Sequence, residues 1–173
     1  MKAALFVDVS NLYYNARKVF DGKVNYATYC SCIDQVDILH MNAYGTTHKI
    51  NDKFLGTLAR LKFTLYFKEA TDKIKHWDWN VQMAMDLARV GDKLDVVYFG
   101  TSNPAILPML IYCRERGIRT CIYSIRIPRI LKDNADEYKE VEKGAIIFNE
   151  SRPIDNSTQS LELPSISDGD VSE

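Results

Sequence analysis

The chain contains no run of about 18 apolar residues, so no segment qualifies as a membrane-spanning helix. Its opening, MKAALFVDVSN, meets a charged residue too early for a secretory signal peptide. Cysteine and histidine are sparse. Neither Cys30 and Cys32 nor Cys113 and Cys121 have C-x-x-C spacing, and His40, His48 and His76 are scattered, so no zinc or other soft-metal cluster emerges. The four thiols therefore read as reduced and structural, and the expected location is the cytoplasm. An excess of charge of either sign is lacking too: the net charge is -1. That balance hides an asymmetry, because the segment from Glu150 onward holds six acids against Arg152 alone, which leaves the remainder mildly basic. A basic body fits contact with a polyanion without establishing it.

What is present points to one domain. A chain of 173 residues can bury a core without metal or disulfide staples. The expected division is a folded unit over residues 1–149 and an acidic tail over 150–173. The tail, rich in Ser, Asp and Pro and without aromatics, has too little apolar area to offset the entropy of ordering. It reads as a loose terminus, as a partner-docking segment built on Leu161, Leu163 and Ile166, or as a mask over a basic surface.

Upstream, extended and helical patterns alternate. Strands are expected at Lys2 to Val9, Val36 to Tyr44, Phe63 to Lys68, Leu94 to Phe99 and Arg119 to Ile125. Helices are expected from Ser10, as cap, to Phe20, over Tyr26 to Gln35, over Asp52 to Leu61 with Asn51 as cap, and over Asn80 to Val90. Gly91 is expected to close that last helix in the left-handed conformation. Pro104 opens the next helix, Pro108 loosens its start and Gly117 closes it. A short element is expected over Ala135 to Val141, before a last apolar run at Ala145 to Phe148. This alternation predicts an α/β fold: a three-layer sandwich with a mostly parallel, about five-stranded sheet and helices on both faces.

Parallel strands present their carboxyl ends along one edge, so Asp8 and Asn11 after the first strand should approach Thr101, Ser102 and Asn103 after the fourth. An acid such as Asp8, directly following the apolar AALFV, needs a partner, a solvated cleft or a cation. Asn80 and Asp86 are six apart on one helix and do not share a narrow face, unless Asn80 is the helix cap, in which case both still border one cleft. Tyr13, Tyr14, Tyr26 and Tyr29 read mainly as core, with base stacking as the alternative; Trp77 and Trp79 read equally as core or as a clamp for a base. Arg114, Arg116, Arg119, Arg126, Arg129 and Lys132 form either a solvated face or a phosphate-contacting one.

Four blocks together resemble the NYN family, PIN-like proteins related to the LabA group. FVDVSNLYYNARK is similar to the family's apolar strand leading into Asp-Gly-Asn-Asn-Leu, and WDWNVQMAMDLA to its Lys-Gly-Val-Asp-Val-x-Leu-Ala-Val-Asp segment. TSNPAILPMLIYCRERGIRTCIY aligns without a gap to Ser-Gly-Asp-Ser-Asp-Phe-x-Pro-Leu and the helix after it, and NADEYKEV resembles a terminal Ala-Asp-Glu-Phe. The resemblance implies a PIN-like nuclease fold, usually acting on RNA, in which clustered aspartates hold Mg²⁺ or Mn²⁺. Divalent cations there neutralise charge on the phosphate and activate water. Asp8, Asn11 and Asp86 keep the family's chemistry. Asn80, Asn103 and Ala105 stand where the family has aspartate.

The resulting expectation is a protein that binds RNA or another single-stranded nucleic acid, with metal-dependent cleavage weak or lost. Asp8 and Asp86 are the residual catalytic and metal-holding pair, and any Mg²⁺ or Mn²⁺ would be held weakly. Asn11, Asn80, Thr101, Ser102, Asn103, Arg126 and Arg129 are the nucleic-acid-binding candidates, and Asp78 is a stand-in acid if the segment shifts by two residues. The alternatives are an active endoribonuclease using Asp8 and Asp86, and a protein-interaction scaffold on the same fold.

Overall fold

The computed structural model describes residues 1–33, 36–47, 52–73 and 77–148. Within them, β1 (Lys2–Asp8) runs into α1 (Val9–Phe20), followed by β2 (Gly22–Val24), α2 (Tyr26–Ser31) and β3 (Asp37–Thr47). Next come α3 (Asp52–Arg60), β4 (Thr64–Glu69), α4 (Asn80–Val90), β5 (Val96–Gly100) and α5 (Leu107–Glu115). The fold ends with β6 (Arg119–Ser124), α6 (Arg129–Lys132), β7 (Glu137–Glu140) and β8 (Ile146–Phe148).

Six strands form one sheet in the order β4-β3-β1-β5-β6-β7, and every pairing in it is parallel. The apolar run of β1 is continuous because both sheet faces are covered. Ala3, Leu5 and Val7 pack into one core with Leu12 and Ala16 of α1, Tyr26 and Tyr29 of α2, and Leu58 of α3. Ala4 and Phe6 point the other way, toward Met83 and Leu87 of α4, Leu110 of α5 and Leu131 of α6. Three layers follow from that two-residue alternation.

Several local expectations change. The sheet has six strands, because Glu137–Glu140 pairs in parallel with β6. Its EYKE sequence is exposed throughout, a charged edge strand without the alternation by which strands are recognised. Gly22–Val24 was not anticipated as a strand; it pairs antiparallel with Ile146–Phe148, apart from the main sheet. The expected helix over Tyr26 to Gln35 ends at Ser31, and β3 runs on to Thr47. Asp8, not Ser10, caps α1: its carboxylate accepts the Asn11 N–H at 2.9 Å. Ser10 Oγ instead accepts the Thr46 N–H at 2.9 Å, fastening α1 to the end of β3.

Gly91 has φ -53, so α4 tightens into a 3-10 turn over Gly91–Lys93 and does not end left-handed. Gly117 does end α5 in that conformation, with φ 68. Pro104 opens a 3-10 turn, and Pro108 falls in the first turn of an α-helix that starts only at Leu107. The proline thus sits where its missing N–H needs no partner. Asn51 and the acidic segment lie outside the described residues, in which no helix is long and apolar enough to cross a membrane.

Candidate functional site

From β1 the chain moves to β3 on one side, while β5 occupies the other, so the carboxyl end of β1 is the switch point at which open α/β sheets leave a crevice. A cleft of about 270 Å³ opens there, lined by Asp8, Trp77, Asp78, Trp79, Asn80, Asn103 and Ala105. Asp8, Asn80, Asn103 and Ala105, far apart in the chain, converge in it. All four are positions where the resemblance places aspartate, and only Asp8 keeps it.

The α1 side of the cleft is held rigidly. Asn11 Oδ1 accepts the Ser102 N–H and the Ser102 hydroxyl, both at 3.0 Å. Asn15 Nδ2 donates to Ser102 Oγ at 3.0 Å and to Asn11 Oδ1 at 3.2 Å. Thr101, almost fully buried, accepts the Asn103 N–H through Oγ1 at 3.2 Å, and Asn103 Oδ1 accepts the Ala105 N–H at 3.1 Å. Asn11, Thr101 and Ser102 therefore lock the loop after β5 onto α1, and Asn103 is the member of that group that faces the cleft. Gly100 allows this approach: a Cβ there would lie 2.6 Å from the Tyr29 hydroxyl and 3.1 Å from Val7.

The opposite wall is the loop leading into α4. Trp77 is pinned at both ends, its N–H donating to Thr46 Oγ1 and its Nε1–H to the Glu69 carbonyl, each at 3.0 Å. Asp78 Oδ1 accepts the Asn80 N–H at 2.9 Å and Asn80 Nδ2 at 2.6 Å. Trp79 is buried beside Tyr44, with ring centroids 6.2 Å apart, and its Nε1 has no partner among the described residues. The Lys68 ammonium lies 4.4 Å from the Trp77 ring centroid and 5.3 Å from that of Trp79. The Trp pair is thus neither pure core nor an open clamp. Nothing in FTLYFK singled out Lys68 except its place at a strand's carboxyl end.

Asp8 is an uncomfortable carboxylate. Burial pushes its pKa above the ordinary range; the N–H groups of Asn11 and Ser10 pull it down, and the charge of Asp78 pushes it up again, for a net rise. Asp86, expected to be its partner, is buried among other donors. It sits six residues, or about 9 Å, along α4 from Asn80 and is absent from the cleft lining. Its oxygens accept from Tyr44 at 2.9 Å, Asn42 at 3.3 Å, Gln82 at 3.0 Å and Arg89 at 3.0 Å. Asp78 is the carboxylate that shares the cleft with Asp8.

The basic residues divide between the two edges. Arg116 and Arg119 pair with Asp92 and Glu137 at the far edge, and Arg114 donates to the Asn134 carbonyl. On the cleft edge, Arg129 pairs with Asp133 and Lys132 with Glu140. Arg126, just past β6, is exposed, has φ 54 and has no ion-pair partner among the described residues. Tyr26 and Tyr29 are core, while Tyr13 and Tyr14 lie about half exposed on α1. Asp136, in the NADEYKEV block, is structural: it accepts the Thr120 N–H and hydroxyl, both at 2.8 Å, at the amino end of β6.

A parallel sheet of this order with a carboxylate at its switch point is a doubly wound α/β fold, and the family match gives it its class, a PIN-like, nuclease-type domain. The NYN domain model matches residues 2–142, and the chain belongs to the NYN domain family. The fold is similar to that of a crystallised protein of unknown function from Vibrio parahaemolyticus RIMD 2210633, with a TM-score of 0.73, 19% identity, and coverage of 84% of this chain and 96% of that one. No curated protein matches the chain in sequence.

NYN nucleases are typically metal-dependent. Among the described residues no group of three or more His, Cys, Asp or Glu side chains is placed to hold an ion. Asp8 and Asp78 fit at most one hydrated Mg²⁺ or Mn²⁺ that arrives with a phosphate. They do not fit a two-ion cluster, since Asn80 and Asn103 offer neutral amides and Ala105 no donor.

Proposed function

We propose that this NYN domain binds RNA, or another single-stranded nucleic acid, across the carboxyl edge of its sheet, and that hydrolysis there is weak or lost. The observation that carries this reading is the convergence of Asn80, Asn103 and Ala105 on Asp8: the cleft is in place with most of its acids replaced. Removing anionic side chains lowers the repulsion a phosphate meets, and amide donors such as Asn103 can reach its oxygens. Asp8 then acts chiefly as the cap of α1, while Asn11 and Ser102 hold the floor of the cleft. Arg126 adds a cation on the β6 side.

A second reading has a specific observation behind it. Asp78 stands close enough to Asp8 to raise its pKa, the mutual repulsion a divalent ion would relieve. In that reading the chain is a slow single-ion ribonuclease in which the ion stabilises charge on the phosphate, Asp8 and Asp78 hold it, and Asp86 takes no direct part.

A gel shift with labelled single-stranded RNA separates the two, run at rising salt with and without Mn²⁺. Binding predicts a shift that weakens steeply as salt rises, because phosphate contacts release counterions, and RNA recovered at full length. Mn²⁺-dependent shortening that Asp8→Asn abolishes would overturn the binding-only reading.

A further inference from the structure

We infer that Lys68 is a phosphate-holding residue of this site, fixed in place by Trp77 and Trp79, and that a bound single strand extends along the sheet edge from Lys68 to Arg126. The inference rests on the nucleic-acid reading above and adds residues and a path to it. Lys68 lies in β4, one residue before its carboxyl end, on the same edge as the cleft. Its ammonium sits over two indole rings that themselves line the cleft. A cation over an aromatic face keeps its charge, since the ring quadrupole orients it without neutralising it. Among the described residues no carboxylate pairs with it, whereas Lys132, Arg129, Arg119 and Arg116 each have an acidic partner.

Trp79 buries its indole N–H without a partner among the described residues. Trp77 is anchored at its backbone and its ring nitrogen, so its face is fixed relative to the β4 backbone that carries Lys68. Lys68 covers the faces on which a base would stack, so the Trp pair presents a cation to the ligand in place of an open aromatic platform. On the other side of the cleft Arg126, also unpaired, follows β6. Strand order puts β3, β1 and β5 between them, so the strands that carry the two cations lie about 19 Å apart at four spacings of about 4.8 Å. Asp8 and Asn103 lie between, so a strand touching both cations must cross the cleft.

The test measures the affinity of a fluorescein-labelled oligouridine by anisotropy over a salt series, with circular dichroism to confirm folding of each variant. Lys68→Gln should weaken binding several-fold and make the slope of log K against log salt shallower by about 0.7, the value of one phosphate contact on a single strand. Lys68→Arg should restore both. Arg126→Gln should do the same independently, its loss adding to that of Lys68→Gln because the sites are far apart. Trp77→Leu, which keeps every charge, should weaken binding with the slope unchanged and add nothing in a Lys68→Gln background. If the parent binds the oligomer and Lys68→Gln leaves affinity and slope as they were, the role of Lys68 is overturned while the nucleic-acid reading stands. If Trp77→Leu adds a full further loss to Lys68→Gln, the rings act on the bases and the positioning role falls. If the parent does not bind even at low salt, the nucleic-acid reading falls and takes this inference with it.

Discussion

Asp8 and Asp86 both survive from the acidic pattern of the family, yet their surroundings are opposite. Asp8 lies in an open cleft at a strand end, accepts backbone N–H groups as a helix cap, and faces a second carboxylate that makes its charge harder to keep. Asp86 is buried on α4, and its carboxylate accepts from two side chains of β3 and two of its own helix. A carboxylate saturated by protein donors is part of the fold; one left short of donors at a switch point is available to a ligand. The same residue type thus stands surrounded by side-chain donors at Asp86 and beside an open cleft at Asp8.

Asp86→Ala should produce the largest effect that follows from this contrast. It leaves the buried Tyr44 hydroxyl without its acceptor and the Asn42 amide with the Tyr44 oxygen alone, a loss of about 3 kcal/mol, seen as a Tm lower by roughly 10 °C in a domain of this size. Next is the triple replacement Asn80→Asp, Asn103→Asp and Ala105→Asp, which crowds the Asp8 cleft with charge. Its Tm should fall without divalent ions and recover by several degrees in millimolar Mn²⁺, by the linkage that stabilises any ion-binding native state, while the parent protein responds little.

Asp8→Asn should act in the opposite direction from Asp86→Ala. Asparagine caps helices as well as aspartate does, so the substitution removes a disfavoured charge and keeps the cap. The folded pKa of Asp8 is raised, so protonation favours the fold: the benefit is full below the ordinary value of 3.8 and is lost as pH rises through the folded pKa. Asp8→Asn should therefore be more stable than the parent at pH 7, with a gain in Tm that shrinks toward pH 4. The smallest effect is expected at Asp136. Burial pushes its pKa up, but the donors of Thr120 outweigh that and hold it below 3.8. Its contribution is present above 3.8 and lost as pH falls through the folded pKa. Asp136→Asn should lower the Tm by a few degrees at pH 7, with the difference narrowing as the pH drops below 3.8.

The contrast also marks what the sequence could disclose. Asp8 and the segment Thr101 to Asn103 were readable as neighbours because parallel strands deliver their ends to one edge, a consequence of strand order and hand. The helical offset of Asn80 and Asp86 likewise warned that they face different ways. Where Asp86 goes was not readable: its partners Asn42 and Tyr44 are more than 40 residues away, on a strand whose register no local pattern fixes. The strand Glu137–Glu140 escaped because an exposed edge needs no apolar alternation. Lys68 escaped because a lysine ending a strand has no local signature; only the fold puts two indoles under it.

The measurement that bears most directly on the account is anomalous scattering from crystals of the protein grown with single-stranded RNA and soaked in Mn²⁺. The account predicts uncut RNA across the sheet edge and no more than one partly occupied ion between Asp8 and Asp78. Two well-occupied ions in that cleft, with the strand cleaved beside them, would contradict it.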